Sequence, residues 1–92
     1  MNEKQAWLFI ADQYNKYSAC RQKTLYSAFG VCAAIDRMRI EGYISQSTCE
    51  DMHERINIYR AVQQIVSVYF WPCKVEYALD RVELCETFAS QL

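Results

Sequence analysis

Arg39-Ile40-Glu41-Gly42-Tyr43-Ile44-Ser45-Gln46-Ser47-Thr48-Cys49-Glu50 is the stretch on which the fold turns. Ahead of it, Leu25, Ala28, Phe29, Cys32, Ile35 and Met38 recur at helical spacing, and Gly42 falls where a left-handed residue ends a helix. Tyr43 and Ile44 supply the apolar contact that accompanies such an ending. Behind it, Ser47-Thr48-Cys49-Glu50 matches a capping box, in which the Ser hydroxyl accepts from the third backbone N–H and the Glu reaches back. Cys49, Met52, Ile56 and Tyr59 then form an apolar stripe, continued by Val62 or Gln63 and Val66, with Glu50, Asp51 and Glu54 suited to the helix dipole. Two helices joined by so short a turn pack as an antiparallel hairpin. Gly30 lies inside the first of them on this reading, where it costs about 1 kcal/mol relative to Ala and implies close approach of a neighbouring helix.

Working outward, Trp7, Ile10, Ala11 and Tyr14 fall on one helical face, which predicts a first helix over residues 3 to 16. Tyr17 to Thr24 is polar and aperiodic, a loop by pattern, although it has no Gly or Pro and is also compatible with helix. Ile65-Val66-Ser67-Val68-Tyr69-Phe70 is β-branched and aromatic ahead of Pro72, which predicts a short extended segment in preference to helix. Val75, Ala78, Leu79, Val82, Cys85, Phe88 and Ala89 write a last helix. The expected fold is all-α: a small bundle of about four helices around a central antiparallel hairpin, in a single domain over residues 1–92.

Composition supports a globule of this kind. The chain has 92 residues, 52% of them hydrophobic and 23% charged, with two Gly and one Pro. That balance excludes disorder, collagen-like repeats and a loop-rich sandwich, and the length excludes a multi-domain enzyme. No secretion signal or bilayer-length apolar run is visible, so a cytoplasmic protein without membrane contact is expected. Five widely spaced cysteines, none in a Cys-x-x-Cys pair, read as reduced and mostly buried thiols. The net charge of −1 suits neither a general nucleic-acid binder nor a DNA mimic, and no sequence-specific nucleic-acid partner is expected. Charge is unevenly placed: residues 13 to 40 hold Lys16, Arg21, Lys23, Arg37 and Arg39 against Asp36 alone, whereas residues 41 to 92 are acidic.

No catalytic signature emerges. Cys49 and His53 share a helical face, where an imidazole lowers a thiol pKa, but no third group is assignable, and core cysteine beside surface histidine is the plainer reading. Two ligands without a matching pair do not make a metal site. Glu76, Asp80, Glu83 and Glu86 have the spacing of a cation site, yet with Arg81 among them they read as a solvated helix face. No cofactor, metal or catalytic residue is expected, and the chain reads as a non-enzyme.

Two aromatic clusters remain. Tyr14, Asn15, Lys16, Tyr17, Arg21, Lys23 and Tyr26 interleave rings with cations, a composition suited to stacking a planar base and neutralising phosphate, against the plainer reading of oligomer contact or surface. Tyr69, Phe70 and Trp71 before Pro72 make either a hot spot against a partner protein or a cap on the core. Thirteen aromatics exceed what a small core uses, so some remain exposed and a homo-oligomer is expected.

The early Gln5-Ala6-Trp7-Leu8, the Gly30-Val31-Cys32 step, the turn Gly42-Tyr43-Ile44-Ser45, the Tyr69-Phe70-Trp71-Pro72 step and the Arg81/Cys85/Ala89 spacing resemble small accessory proteins of tailed bacteriophages. The resemblance spans most of the chain, rests on structural motifs and transfers no catalytic residue. It implies a counter-defence factor in the host cytoplasm. Two roles are then expected: sequestration of a small nucleotide immune signal, cyclic or of ADP-ribose type, through Tyr14 to Tyr26; or anti-CRISPR-like inhibition of a host defence protein through Tyr69 to Trp71.

Overall fold

The computed structural model describes residues 1–17, 26, 30–69 and 81–92. Among them are four helices: α1 (Glu3–Tyr17), α2 (Val31–Ile40), α3 (Gln46–Tyr69) and α4 (Arg81–Ser90). The all-α bundle is therefore as the periodicity predicts, and no strand occurs among the described residues. None of the described helices is long and apolar enough to cross a membrane.

α1 starts where Asn2 and Gln5 satisfy each other. The Gln5 amide donates to Asn2 Oδ1 at 2.8 Å and the Asn2 amide donates to Gln5 Oε1 at 3.0 Å, a reciprocal cap built from amides. Its buried face presents Ala6, Trp7, Ile10, Ala11 and Tyr14. This face lies along α4, which contributes Cys85, Phe88 and Ala89, and the small alanines let the two helices approach closely. The Trp7 and Phe88 rings meet at 4.8 Å, and Tyr59 of α3 stands edge-on to Phe88 at 5.9 Å. One core thus collects all four helices, with Ala34, Ile35 and Met38 from α2 and Cys49, Met52 and Ile56 from α3.

The α2–α3 hairpin is antiparallel. Cys32 pairs with Arg60 and Asp36 pairs with His53, so partners recede from the turn together. Gly42 (φ +83°) ends α2 as anticipated: the Tyr43 amide donates to the Met38 carbonyl at 2.9 Å and the Gly42 amide to the Arg39 carbonyl at 3.0 Å, closing both bonds of a Schellman ending.

Three boundaries differ from expectation. Gly30 is not inside a helix: it is the N-terminal cap of α2, with extended backbone, and among the described residues nothing lies within 4 Å of where a Cβ would stand, so none of the described helices crosses there. The cap of α3 is Ser45, not Ser47; Ser45 Oγ accepts from the Thr48 amide at 3.1 Å. The reason lies next door. With Ser45 as cap, Ile44 and Cys49 occupy the two positions of a hydrophobic staple, and both are buried. Residues 65–69 are helical, not extended, because α3 runs unbroken to Tyr69. Each residue added to an existing helix gains a backbone hydrogen bond, whereas a lone extended segment needs a partner strand. Phe70 and the first part of the predicted last helix, including Val75, Ala78 and Leu79, lie outside the described residues; so do residues 18–24 of the span read as a loop, whose first residue, Tyr17, instead ends α1.

Candidate functional site

A recess among the described residues lies where α3 passes the start of α1 and the end of α4. It encloses about 530 Å³ and is lined by Glu3, Asp51, Glu54, Ile58, Tyr59 and Val62, together with Arg55, Phe88 and Gln91. Its geometry follows from helical register. Cys49, Met52 and Ile56 take the core side of α3, while Asp51, Glu54, Ile58 and Val62 fall on the other side at three-, four- and seven-residue spacings. Ile58 and Val62 are 59% and 50% exposed, an apolar pair one turn apart and flanked by carboxylates.

Glu3 anchors the wall of this groove. One oxygen of its carboxylate accepts from the Trp7 indole Nε1 at 3.2 Å and from Arg55 Nε at 2.8 Å, and the carboxylate is 15% exposed. Arg55 also donates to Gln91 Oε1 of the C-terminal segment at 3.4 Å. Among the described residues the only guanidinium on the groove is therefore engaged, and Asp51 and Glu54 give its rim a negative field.

A second cluster sits on the opposite side of α3. Asp36 Oδ1 lies 2.7 Å from His53 Nε2 and 3.8 Å from the Cys49 Sγ that points at it. The histidine thus bonds to the carboxylate. Burial first, and then the charge of Asp36, push the Cys49 thiol up from its ordinary pKa, with the Arg39 guanidinium pulling the other way. A cysteine nucleophile needs the reverse, a stabilised thiolate.

The residues expected from sequence to bind a ligand are placed as follows. Tyr14 is 6% exposed and belongs to the core, so its face is not offered to a planar ligand; this corrects its assignment, because α1 turns it inward with Trp7 and Ile10. Asn15 and Lys16 are exposed near the end of α1, and Tyr17 is its last residue. Tyr26 is half-buried, packs against Phe9 at 5.3 Å and Tyr43 at 6.5 Å, and donates its hydroxyl to Glu41, which also accepts from Arg37 Nε at 2.8 Å. That hydrogen bond sets a carboxylate beside the ring, where a phosphate ligand needs cations. Arg21 and Lys23 lie outside the described residues. Of the proposed partner patch, Tyr69 ends α3, and Phe70 and Trp71 lie outside the described residues, as do Glu76 and Asp80; Glu83 and Glu86 are exposed on α4.

Sequence reading missed the groove and Asp36. The groove had a signal: Ile58 and Val62 form an apolar pair out of phase with the Cys49–Met52–Ile56–Tyr59 stripe. Asp36 had none, since only the hairpin brings it to His53.

Comparison with protein-family models, with curated proteins and with solved structures finds no match to this chain.

Proposed function

We propose that this is a non-enzymatic binding protein that docks a cationic, amphipathic segment of a partner protein in the groove between α1, α3 and α4. The observation that carries the reading is the pairing of exposed Ile58 and Val62 with a rim of Asp51 and Glu54, beside which the one groove cation among the described residues, Arg55, is already engaged by Glu3. An amphipathic helix laid in such a groove buries its apolar face on Ile58 and Val62 and on the half-buried Tyr59, above the core ring of Phe88, and its basic residues meet the rim. Charge at the rim speeds encounter and sets orientation; the buried apolar contacts supply most of the affinity. The phage resemblance favours a host defence protein as the partner, the kind of target expected in the second role drawn from the sequence, here met at the groove and not at Tyr69 to Trp71.

The test uses a basic amphipathic helical peptide and the full chain in a fluorescence anisotropy titration. Binding that weakens with salt, falls about 10-fold or more with Ile58→Asp and is weakened by Glu54→Lys supports the reading. Binding unaffected by both substitutions counts against it. Calorimetry against cyclic dinucleotides and ADP-ribose runs in parallel: heat there, with none for the peptide, replaces protein docking with nucleotide sequestration. Self-association abolished by Ile58→Asp in sedimentation would instead make a second copy the occupant.

A further inference from the structure

Three chemically different donors converge between α2 and α3. The carboxylate oxygen of Asp36, the thiol of Cys49 and a ring nitrogen of His53 all lie within 4.8 Å of one another. We infer that these three side chains form a binding site for one zinc-class divalent ion.

The donor set is the first argument. A thiolate, an imidazole and a carboxylate are each ordinary ligands of Zn²⁺, a borderline-soft ion without a strong geometric preference, and three protein ligands leave one position for water or another donor. The mixture is poorly matched to Mg²⁺ or Ca²⁺, which take oxygen.

Geometry is the second argument. Zinc bonds of about 2.0–2.3 Å in a tetrahedron put donor atoms roughly 3.3–3.8 Å apart. The Asp36–Cys49 separation of 3.8 Å already lies at that spacing, and the Asp36–His53 separation of 2.7 Å has only to open slightly. Side-chain rotation accomplishes this. Cys49 and His53 are one turn apart on α3, and the hairpin fixes Asp36 across from them.

Access is the third. Cys49 forms the buried base, while His53 and Asp36 stand at the rim with side chains 30% and 54% exposed, so an ion enters from solvent without backbone movement. On binding at Nε2, the His53 proton resides on Nδ1 and the Cys49 thiol proton passes to solvent. Arg39, beside Cys49, favours the thiolate, in opposition to burial and Asp36. The ion would clamp α2 to α3, on the side of α3 away from the groove; the inference is independent of the docking proposal.

The full-length reduced chain, freed of metal, is titrated with Co²⁺, whose thiolate charge-transfer and tetrahedral d–d absorption report the donors, and then with Zn²⁺ to displace it. The expected result is one Co²⁺ per chain, loss of the charge-transfer band in Cys49→Ser, retention in Cys32→Ser, and binding weakened about 10-fold or more in Asp36→Asn and His53→Gln. The last two substitutions change residues outside the core and keep the test decisive where Cys49→Ser unfolds the chain. Absence of a thiolate band, a band unmoved by Asp36→Asn and His53→Gln, or one abolished by Cys32→Ser overturns the inference.

Discussion

Truncating Trp7 to alanine tests the docking of α1 on α4. The side chain is wholly buried, faces Phe88 at 4.8 Å and donates its indole N–H to Glu3. Removing a buried Trp side chain costs about 3–5 kcal/mol through lost transfer energy and the cavity left behind. The lost hydrogen bond adds only about 0.5–1 kcal/mol, because Glu3 keeps Arg55 and no buried group is orphaned. A chain of this length has a total stability of about 5–14 kcal/mol, so Trp7→Ala removes about a quarter of it or more. Thermal unfolding followed by circular dichroism is expected to drop by at least about 12 °C. A double-mutant cycle of Trp7→Leu with Phe88→Leu, read by urea denaturation, isolates the ring pair, and its coupling is expected at about 0.5–1.5 kcal/mol. A fall in Tm below about 4 °C for Trp7→Ala, together with zero coupling in the cycle, would refute the packing argument.

Other consequences are equally open to measurement. Gly42 at φ +83° tolerates no Cβ without strain, so Gly42→Ala is expected to destabilise by about 1–2 kcal/mol; Gly30, with extended backbone and no described residue within 4 Å of a Cβ, is expected to gain about 0.5 kcal/mol as Gly30→Asp, and urea midpoints check both signs. The Tyr26 hydroxyl, followed by Arg37, holds the Glu41 carboxyl below its ordinary 4.5, so this contribution is present above pH 4.5 and is lost as the pH falls through the lower folded value. Burial and then Glu41 push the Tyr26 hydroxyl above its ordinary 10.0, so its contribution is full below pH 10 and is lost on further alkalinisation. The Tm difference between the chain and Tyr26→Phe is expected to shrink at both extremes; a difference constant with pH contradicts the pairing. Burial, with Glu86 nearby, pushes the Cys85 thiol up to about 12, so iodoacetamide is expected to leave it unlabelled until denaturant is added, as peptide mass mapping would show.

How far the fold was legible depended on where its determinants lie along the chain. Gly42 announced the end of α2 because one residue's backbone conformation decides it. The start of α3 was misplaced by two residues because two serines competed, and burial of Ile44 against Cys49 chose Ser45. Helical phase and local composition disagreed at Tyr14: it stands on the Trp7–Ile10–Ala11 stripe and also among cations, and the stripe prevailed since burying a large ring outweighs a polar neighbourhood. Continuation of α3 through residues 65–69 overrode a β-branched run whose preference is weak once a helix is nucleated. The groove and the Asp36 cluster were largely hidden, because both are products of tertiary juxtaposition: Glu3 meets Arg55 across 52 positions and Asp36 meets His53 across 17.

The shared carboxylate of Glu3 makes the protein its own reporter. One oxygen serves an indole on the first helix and a guanidinium on the groove wall, so anything that draws Arg55 away redistributes the hydrogen bonding felt by Trp7. Occupancy outside and cohesion inside become coupled equilibria, each shifting the other by the same free energy. In a Trp71→Phe background the remaining tryptophan's emission would then read out what the recess holds, with no label attached.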